Sequence, residues 1–240
     1  MSLDGRRVVV VGGTSGMGLA TARLVAQLGA RVVAAGHRPL EAREPVEGVE
    51  QVRVDTTEEA SVQALFDAVG ELDHLFVSAS PGSPGPLLEQ DLADARTFID
   101  GKLLGSWMCA RYAAPRMRAG GSITFVTGCA VLRPPRHAAM VVAAFAAVEA
   151  LSRALALELG PLRVNTIRPG YTDSEMWSGL PPGERERLRQ AVAAAVPAGR
   201  MGTPEDIAHA AVFLMTSRQT TGVVLEVSGG EPLVEAVEVR

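Results

Sequence analysis

"VVVVGGTSGMG", residues 8–18, is the stretch that decides the fold of this 240-residue chain. Four consecutive valines predict a strand that is buried on both faces. The glycines at 12, 16 and 18 then let the backbone turn tightly into a helix and let a pyrophosphate approach the free N–H groups at its start. A tight strand–helix turn without a ligand is the alternative that this motif alone leaves open.

Short apolar runs alternate with helical patterns along the chain, which is typical of parallel strands joined by crossover helices. We predict strands at Arg7–Val11, Arg31–Ala35, Gln51–Val54, His74–Ser78, Ser122–Thr127, Arg163–Ile167 and Val223–Val227. We predict helices over residues 17–28, 57–69, 91–118, 140–159 and 204–216. The expected fold class is therefore α/β, a Rossmann-like doubly wound parallel sheet of about seven strands with helices on both faces.

The composition limits the classes of protein and partner. With 47% hydrophobic and 21% charged residues, the chain can bury a sizeable core, and we expect a single domain over residues 1–240. The net charge of -4, without a cluster of basic residues flanked by aromatics, argues against binding to nucleic acid or anionic lipid. A small-molecule ligand is expected instead.

Cysteine usage and the first residues bear on the compartment. Cys109 and Cys129 share no metal-ligand spacing with each other or with the four histidines, so no metal site is expected and a reducing cytosol fits. "MSLDGRR" leads directly into the first strand, and the longest unbroken apolar run, Ala138–Val148, is too short to cross a bilayer. The expectation is a soluble, cytoplasmic protein.

Local signals mark two helix starts and one irregular segment. Thr56 and Glu59 are spaced as a capping box, and Pro204 in "TPED" is expected at a first helical position. Residues 170–200 form an irregular region with a short charged helix around "GERERLRQAV". We predict that this region is a lid over a substrate.

Five further segments, taken with the glycine turn, resemble the short-chain dehydrogenase/reductase family over nearly the whole chain. They occur in the order expected of that family, which makes the resemblance specific. They are "VDTT" at 54–57, "VSASPG" at 77–82, "RVNTIRPG" at 163–170, "GRMGTPEDIAHAAVFL" at 199–214 and "TGVVLEVSGG" at 221–230.

The resemblance implies a set of cofactor-binding positions. Asp55 would contact the adenine, residues 78–80 stand where the family has Asn-Asn-Ala-Gly at the end of a strand, and the segment from Pro169 would lie beside the nicotinamide amide. The full expected set is Gly12, Thr14, Ser15, Gly16, Met17, Gly18, His37, Arg38, Asp55, Thr56, Ser78, Ala79, Ser80, Pro169, Gly170, Thr172 and Ser174.

The end of the second strand indicates which dinucleotide is bound. NAD recognition usually needs an acidic residue there for the ribose 2′-OH, whereas NADP needs positive charge for the 2′-phosphate. The chain reads "AAGHRP" at 34–39, with no acid and with His37 and Arg38. We therefore expect NADP(H) rather than NAD(H), although an exposed basic turn is the alternative.

All four positions that match the family's catalytic Asn-Ser-Tyr-Lys set depart from it. The family's helix carries Tyr-x-x-x-Lys ahead of a segment similar to "AAVEALSRALALEL", which puts Val141 at the Tyr position and Phe145 at the Lys position. Gly128 stands at the Ser position and Lys102 at the Asn position. The family's usual proton transfer cannot be assigned to these residues.

Three residues are candidates to replace the lost acid. Lys102 is the only lysine beside 22 arginines, which suggests that a primary amine is needed there, or else it only fills space with its stem. His137 precedes the missing Tyr by four residues and could act as an acid, or be a solvated loop histidine. Tyr171 could supply its hydroxyl, or pack under the lid.

Two other reactive side chains are expected to be structural. Cys129 has no neighbour that would lower its pKa, and we predict a small buried residue. Tyr112 is expected to pack against a partner subunit, because the family resemblance implies a homo-oligomer, a tetramer or dimer formed through helices 91–118 and 140–159.

Three functions are compatible with the sequence. The first is an atypical NADP(H)-dependent carbonyl reductase in which the proton comes from Lys102, His137, the substrate or water. The second is a catalytically silent NADP(H)-binding sensor. The third is a non-catalytic subunit of a hetero-oligomer with a catalytic paralogue.

Overall fold

Seven parallel strands form one sheet in the order β3-β2-β1-β4-β5-β6-β7. The computed structural model describes residues 2–37, 45–82 and 85–235. Every neighbouring pair of strands is parallel, which confirms the predicted fold class. The strands are β1 (Arg7–Val11), β2 (Arg31–Gly36), β3 (Val49–Arg53), β4 (Leu72–Val77), β5 (Met117–Val126), β6 (Arg163–Pro169) and β7 (Val224–Val227).

Helices cover both faces of this sheet. They are α1 (Gly16–Gln27), α2 (Glu59–Val69), α3 (Leu92–Ile99), α4 (Gly105–Ala113), α5 (Ala139–Glu158), α6 (Pro182–Ala195) and α7 (Pro204–Thr216). Valines of β1 alternate between two cores: Val9 and Val11 pack with residues of α2, α4 and α5, and Val8 and Val10 pack with residues of α1 and α7. This two-sided burial explains the unbroken run of valines.

The direction of strand addition reverses between β1 and β4. From β1 the chain adds β2 and β3 on one side, and then returns to add β4 to β7 on the other. Loops that leave the carboxyl ends of β1 and β4 therefore separate and open a crevice at that edge of the sheet. The functional site is expected there.

The helix predicted over residues 91–118 is interrupted and ends early. A π-helical turn at Asp100–Leu104 separates α3 from α4, and a 3₁₀ turn at Ala114–Arg116 ends the helical segment. Gly101 and Gly105 allow this turn to sit close to its neighbours: a Cβ on Gly101 would lie 2.9 Å from the Pro81 ring. The wide turn directs Lys102 into the protein.

Strand β5 begins five residues before its predicted start at Ser122, and the prediction was wrong there. "MRAGG" has the composition of a turn, but Met117 pairs with Leu72 and the register shifts before His74 pairs with Ser122. Gly120 has a positive φ of 81°, which the irregular strand requires.

The capping box predicted from Thr56 and Glu59 is not formed. Helix α2 begins at Glu59, its cap residue is Glu58, and no side chain caps it. The Asp55 carboxylate instead accepts hydrogen bonds from the Thr57 N–H at 2.9 Å and the Thr57 hydroxyl at 2.7 Å, so these residues form an Asx-type turn.

Two other helix predictions are confirmed. Pro204 occupies the first turn of α7, where Thr203 and Asp206 form a capping box. The short charged helix predicted in the lid segment is α6.

Helix α5 is long and apolar. In the described part of the chain it is the one helix whose length and composition would also suit a membrane span, although only 28% of that window is buried. Its inner face packs on the sheet through Ala144, Val148, Glu149, Ser152 and Leu155. Leu157 on its outer face is 89% exposed.

Candidate dinucleotide and hydride-transfer site

The glycine turn after β1 forms a cradle that only glycine permits. A Cβ on Gly18 would lie 2.0 Å from the Gly12 carbonyl oxygen, and a Cβ on Gly12 would lie 2.5 Å from the Ala79 nitrogen. Gly12 also has a φ of 87°, in the left-handed region that favours glycine. These two glycines therefore allow the tight turn after β1 and the close packing of α1 on it, two features of a dinucleotide-binding fold.

The start of α1 provides the electrostatics for a phosphate. Ser15 is the cap residue, and neither its side chain nor an acidic residue in the first turn neutralises the positive end of the helix. Thr14 packs over Gly36 of β2, where a Cβ would lie 2.3 Å from the Thr14 hydroxyl oxygen. Gly16 has a φ of 47°, and the side chain of Met17 packs against the core below. These residues fit a pyrophosphate.

At the end of β2, His37 lies beside Asp55. The His37 Nδ1 is 3.2 Å from the Asp55 carboxylate, and His37 is exposed. Hydrogen bonds from Thr57, and then the charge of His37, hold the pKa of Asp55 below its usual value. The structure therefore brings together the residue predicted at the adenine and one of the two predicted at the 2′-phosphate. Arg38 lies outside the described residues.

The end of β4 forms the opposite wall of the crevice. Ser78 and Ala79 donate their N–H groups to the Val11 carbonyl at 2.8 and 3.2 Å, so this segment follows β1 directly. Ser80 is exposed, and Thr56 lies across from the π-helical turn, with its carbonyl oxygen 2.7 Å from where a Gly105 Cβ would be. The strand end is positioned to line a ligand lying across the crevice.

The loop after β6 is held by a residue that the sequence reasoning missed. The Glu231 carboxylate accepts the Tyr171 N–H at 2.8 Å, and a Cβ on Gly170 would lie 2.5 Å from the same carboxylate oxygen. Burial raises the pKa of Glu231. Its place directly after Gly229–Gly230 was the available signal, since that segment belongs to the quoted "TGVVLEVSGG" match.

The remaining predicted residues of this loop are ordered around it. Pro169 ends β6 and is buried, and the Gly170 N–H donates to the Val227 carbonyl at 3.0 Å. The Thr172 hydroxyl donates to the Gly170 carbonyl at 3.0 Å, and Ser174 is buried near Gly16, where a Cβ on the glycine would lie 3.7 Å from the Ser174 Cβ. The loop after β6 therefore approaches the phosphate turn.

Phe145 fills the space in front of Gly128. A Cβ on Gly128 would lie 3.0 Å from the Phe145 ring, closer than side chains normally approach. Val141, one turn earlier on α5, is half-buried. Gly128, Val141 and Phe145, the residues predicted at the family's Ser, Tyr and Lys positions, therefore carry no titratable side chain.

The side chain of Lys102 extends from the π-helical turn between α3 and α4 to the Phe145 ring. Its side chain is 2% exposed, and its Nζ donates to the Val126 carbonyl at 2.7 Å and the Ala79 carbonyl at 3.2 Å. The Nζ also lies 5.3 Å from the centre of the Phe145 ring. Burial lowers the pKa of Lys102 to about 8.

His137 is exposed at the edge of an apolar groove. The groove has a volume of about 310 Å³ and is lined by Leu87, Pro134, Pro135, His137, Ala138, Ala139 and Val142. His137 has a φ of 67°, a left-handed conformation that a histidine rarely adopts. Among the described residues that line this groove, His137 is the one with a titratable side chain.

Tyr171 packs under the lid, the second of the two interpretations of its role. Its ring stacks on Trp177 with centres 6.2 Å apart, and both contact a small apolar cluster that includes Leu188 of α6. Burial raises the pKa of Tyr171. Cys129 is buried, as predicted, and burial raises its pKa to about 12.

Asp173, in the loop after β6, forms ion pairs with helix α6 of the predicted lid. Its carboxylate accepts hydrogen bonds from Arg185 and Arg189 of α6, both at 2.7 Å. These ion pairs hold the pKa of Asp173 below its usual value despite partial burial. Helix α6, within the predicted lid, is therefore attached to the loop after β6 by two arginines and by the apolar cluster.

Together, the sheet order, the glycine cradle and the reversal between β1 and β4 define a dinucleotide-binding α/β protein. A family model described as enoyl-(acyl carrier protein) reductase matches residues 11–231. The chain belongs to the short-chain dehydrogenase/reductase family.

Relatives of known activity cover nearly the whole chain. Cis-4-hydroxycyclohexanecarboxylate dehydrogenase of Sinomonas cyclohexanicum is 36% identical, covering 94% of this chain and 96% of that protein. L-fucose dehydrogenase of Oryctolagus cuniculus is 35% identical, covering 95% and 86%. A crystal structure of a small-chain dehydrogenase in complex with NADPH has a TM-score of 0.85 and 32% identity, covering 96% of this chain and all of that one.

Proposed function

We propose that this protein binds NADP(H) and is an atypical oxidoreductase that reduces a carbonyl group of a small molecule. The observation that carries the proposal is the glycine cradle, in which Gly12 and Gly18 leave no room for a Cβ. Gly12 makes the tight turn and Gly18 lets α1 pack closely on it, while a Cβ on Gly16 between them would meet only Ser174 at 3.7 Å, so the backbone is open to a pyrophosphate there. The NADPH held by a structural neighbour supports the choice of cofactor.

NADP(H) rather than NAD(H) is proposed from the end of β2. His37 and Arg38 follow that strand, and no acidic residue is there to bind a ribose 2′-OH. Asp55 already contacts His37 at 3.2 Å, so a 2′-phosphate would have to compete with this carboxylate.

Calorimetry should give tighter binding of NADPH than of NADH, and changing His37 and Arg38 together to glutamine should weaken NADPH selectively. Equal affinities in the wild type would contradict this assignment.

For the reaction itself we propose that orientation in the crevice supplies most of the rate enhancement. A positioned acid contributes roughly 10²–10⁴-fold, whereas holding reactants in contact contributes more. The Lys102 amine donates to two carbonyls and the Tyr171 side chain packs under α6. His137 or water is therefore favoured as the proton donor over Lys102 and Tyr171. Lys102 is proposed to act on the site through its positive charge.

The test is a panel of carbonyl substrates followed by NADPH absorbance. His137→Gln should lower turnover on the order of 10²-fold if the imidazole is the acid. His209→Gln, at an exposed histidine of α7, is the matched control.

Gly18→Ala should abolish NADPH binding and turnover together, whereas Gly183→Ala should not, because a Cβ there meets nothing closer than 3.8 Å. Unchanged NADPH binding by Gly18→Ala would sink the proposed site.

A catalytically silent NADP(H)-binding protein is the second candidate. The observation that favours it is that Gly128, Val141 and Phe145, the predicted matches to the family's Ser, Tyr and Lys, offer no hydroxyl, phenol or amine, and that the Phe145 ring fills the space in front of Gly128. A sensor or a non-catalytic subunit of a hetero-oligomer would need the cradle alone. NADPH binding without turnover on any carbonyl would favour this candidate over the reductase.

Assembly and location are also proposed. Leu104 and Trp107 on one helical segment and Leu157 on another are exposed, at 46%, 39% and 89%. We propose that residues 91–118 and 140–159 pair with a second copy of the chain in a homo-oligomer. Tyr112, whose hydroxyl donates to Glu59 at 2.6 Å, would lie near that contact. The two cysteines, Cys109 and Cys129, are both buried as free thiols, which fits a reducing compartment, and we propose the cytoplasm.

A further inference from the structure

The only lysine of the chain has its ammonium group at the carboxyl ends of β4 and β5. We propose that Lys102 selects the redox state of the bound nucleotide, favouring the reduced nicotinamide over the oxidised one. The proposal rests on the proposed function, because it requires NADP(H) in the crevice. It assigns to Lys102 a role in cofactor specificity rather than in proton transfer.

The topology places the nicotinamide half of a bound dinucleotide near this amine. A dinucleotide lies across the reversal point of a doubly wound sheet, with one half on each side of it. His37, at the end of β2, marks the side that receives the 2′-phosphate. The other half then lies over the ends of β4 and β5, where the Lys102 Nζ is bonded to the Ala79 and Val126 carbonyls.

The charge of Lys102 is not cancelled by an acid among the described residues. Both hydrogen bonds of its Nζ go to neutral carbonyls, and burial alone lowers its pKa. The titratable and charged residues of β4 and β5 lie near the opposite ends of those strands: Asp73, His74 and Arg118.

On α5, the charged residue that shares the face of Phe145 is also neutralised, by an ion pair. Glu149 lies one turn beyond Phe145, and its carboxylate pairs with Arg168 at 2.6 Å. Arg153 and Glu158, further along this helix, are exposed. The positive charge of Lys102 is thus surrounded by buried, apolar groups and is weakly screened from a nearby ligand.

A buried positive charge distinguishes the two states of the cofactor. The oxidised nicotinamide ring carries a positive charge, and the reduced ring is neutral. Repulsion between two unit charges several ångströms apart inside a protein is weakly screened, because the effective dielectric constant there is well below that of water. The ammonium should therefore weaken binding of NADP⁺ relative to NADPH by roughly tenfold.

The test compares the dissociation constants of NADP⁺ and NADPH at pH 7 by calorimetry. Lys102→Met keeps the apolar stem and removes the charge, so the preference for NADPH should fall roughly tenfold, mainly through tighter NADP⁺ binding. Lys102→Arg keeps the charge and should keep the preference. Arg218→Met removes an exposed charge from the turn between α7 and β7 and should change nothing.

A second measurement needs no variant. Since the pKa of Lys102 is about 8, the wild-type preference for NADPH should diminish between pH 7 and 9.5, and this change should be absent in Lys102→Met. An unchanged ratio in Lys102→Met, or a wild-type ratio that is constant over this pH range, overturns the inference while NADPH binding still stands. Failure of the wild type to bind either nucleotide overturns the proposed function, and the inference with it.

Discussion

At the scale of single residues, Gly128 and Phe145 depend on each other for their packing. The ring of Phe145 takes the space that a side chain at 128 would need, since a Cβ there would lie 3.0 Å from the ring. A side chain added at 128 while Phe145 is present should therefore clash with the ring. Phe145→Lys alone should not restore family-type turnover, because Val141 offers no hydroxyl.

We predict that Gly128→Ser destabilises the fold by roughly 1–3 kcal/mol, because the new side chain overpacks against Phe145. In a Phe145→Leu background the cost of Gly128→Ser should be smaller by about 1 kcal/mol, and a double-mutant cycle in urea measures this difference. Gly183→Ser serves as control, as its Cβ would meet only the end of Arg187 at 3.8 Å. Strict additivity of the two changes would show that the ring does not occupy this space.

At the scale of elements, α6 is attached by ion pairs that a single change can remove. Asp173→Asn should weaken the hydrogen bonds from Arg185 and Arg189 and so loosen α6 without touching the glycine cradle. Limited proteolysis within residues 175–200 should become roughly threefold faster or more, because local opening costs less. The KM for substrate should rise while NADPH affinity stays close to that of the wild type.

The control for this change is Glu184→Gln on the same helix, whose partner Arg187 is 3.8 Å away and exposed. An exposed pair of this kind contributes little. Equal cleavage rates in Asp173→Asn and Glu184→Gln would show that the two arginines do not hold the lid.

The elements that sequence patterns predict are those in which one strong local preference decides the outcome. The valine run of β1, the glycine turn and Pro204 of α7 are examples, and each is present as expected. The π-helical turn at Asp100–Leu104 was missed because it accompanies the close packing of Gly101 on Pro81 and of Gly105 on Thr56, contacts between distant parts of the chain that no local pattern contains. The hydrogen bond from Tyr171 to Glu231 joins two loops 60 residues apart, which no local pattern contains.

At the scale of the whole molecule, a buried histidine couples stability to pH. His74 is 5% exposed, its Nδ1 lies 2.9 Å from the Ser122 hydroxyl, and burial lowers its pKa from 6.5 to about 4. The unfolded chain therefore binds this proton near pH 6.5, whereas the folded chain binds it only near pH 4. Stability is retained above pH 6.5 and decreases as the pH falls towards 4.

We expect this loss to be about 3 kcal/mol at most in the free energy of unfolding. Urea denaturation of the wild type and His74→Asn between pH 7.5 and 4 measures it. The variant should have a flatter pH dependence, since asparagine can keep a hydrogen bond to Ser122 but does not titrate. His209→Asn, at an exposed position, should keep the wild-type profile. Parallel profiles for His74→Asn and the wild type would contradict the assignment.

Assembly is the second property of this scale. If the proposed homo-oligomer forms through α4 and α5, Leu157→Glu should place a charge in the interface and shift the protein towards a monomer in analytical ultracentrifugation. Leu233→Glu changes another leucine that is 82% exposed, on a different part of the surface, and should leave the sedimentation unchanged. Identical sedimentation of wild type and Leu157→Glu would remove α5 from the interface.

The burial of Lys102 has a practical consequence for handling this protein. Because it is the only lysine and its side chain is 2% exposed, acylating reagents that target ε-amino groups will find no lysine on the surface. Lysine-directed crosslinkers and lysine-specific proteases should therefore leave residues 1–240 of the folded protein largely unmodified.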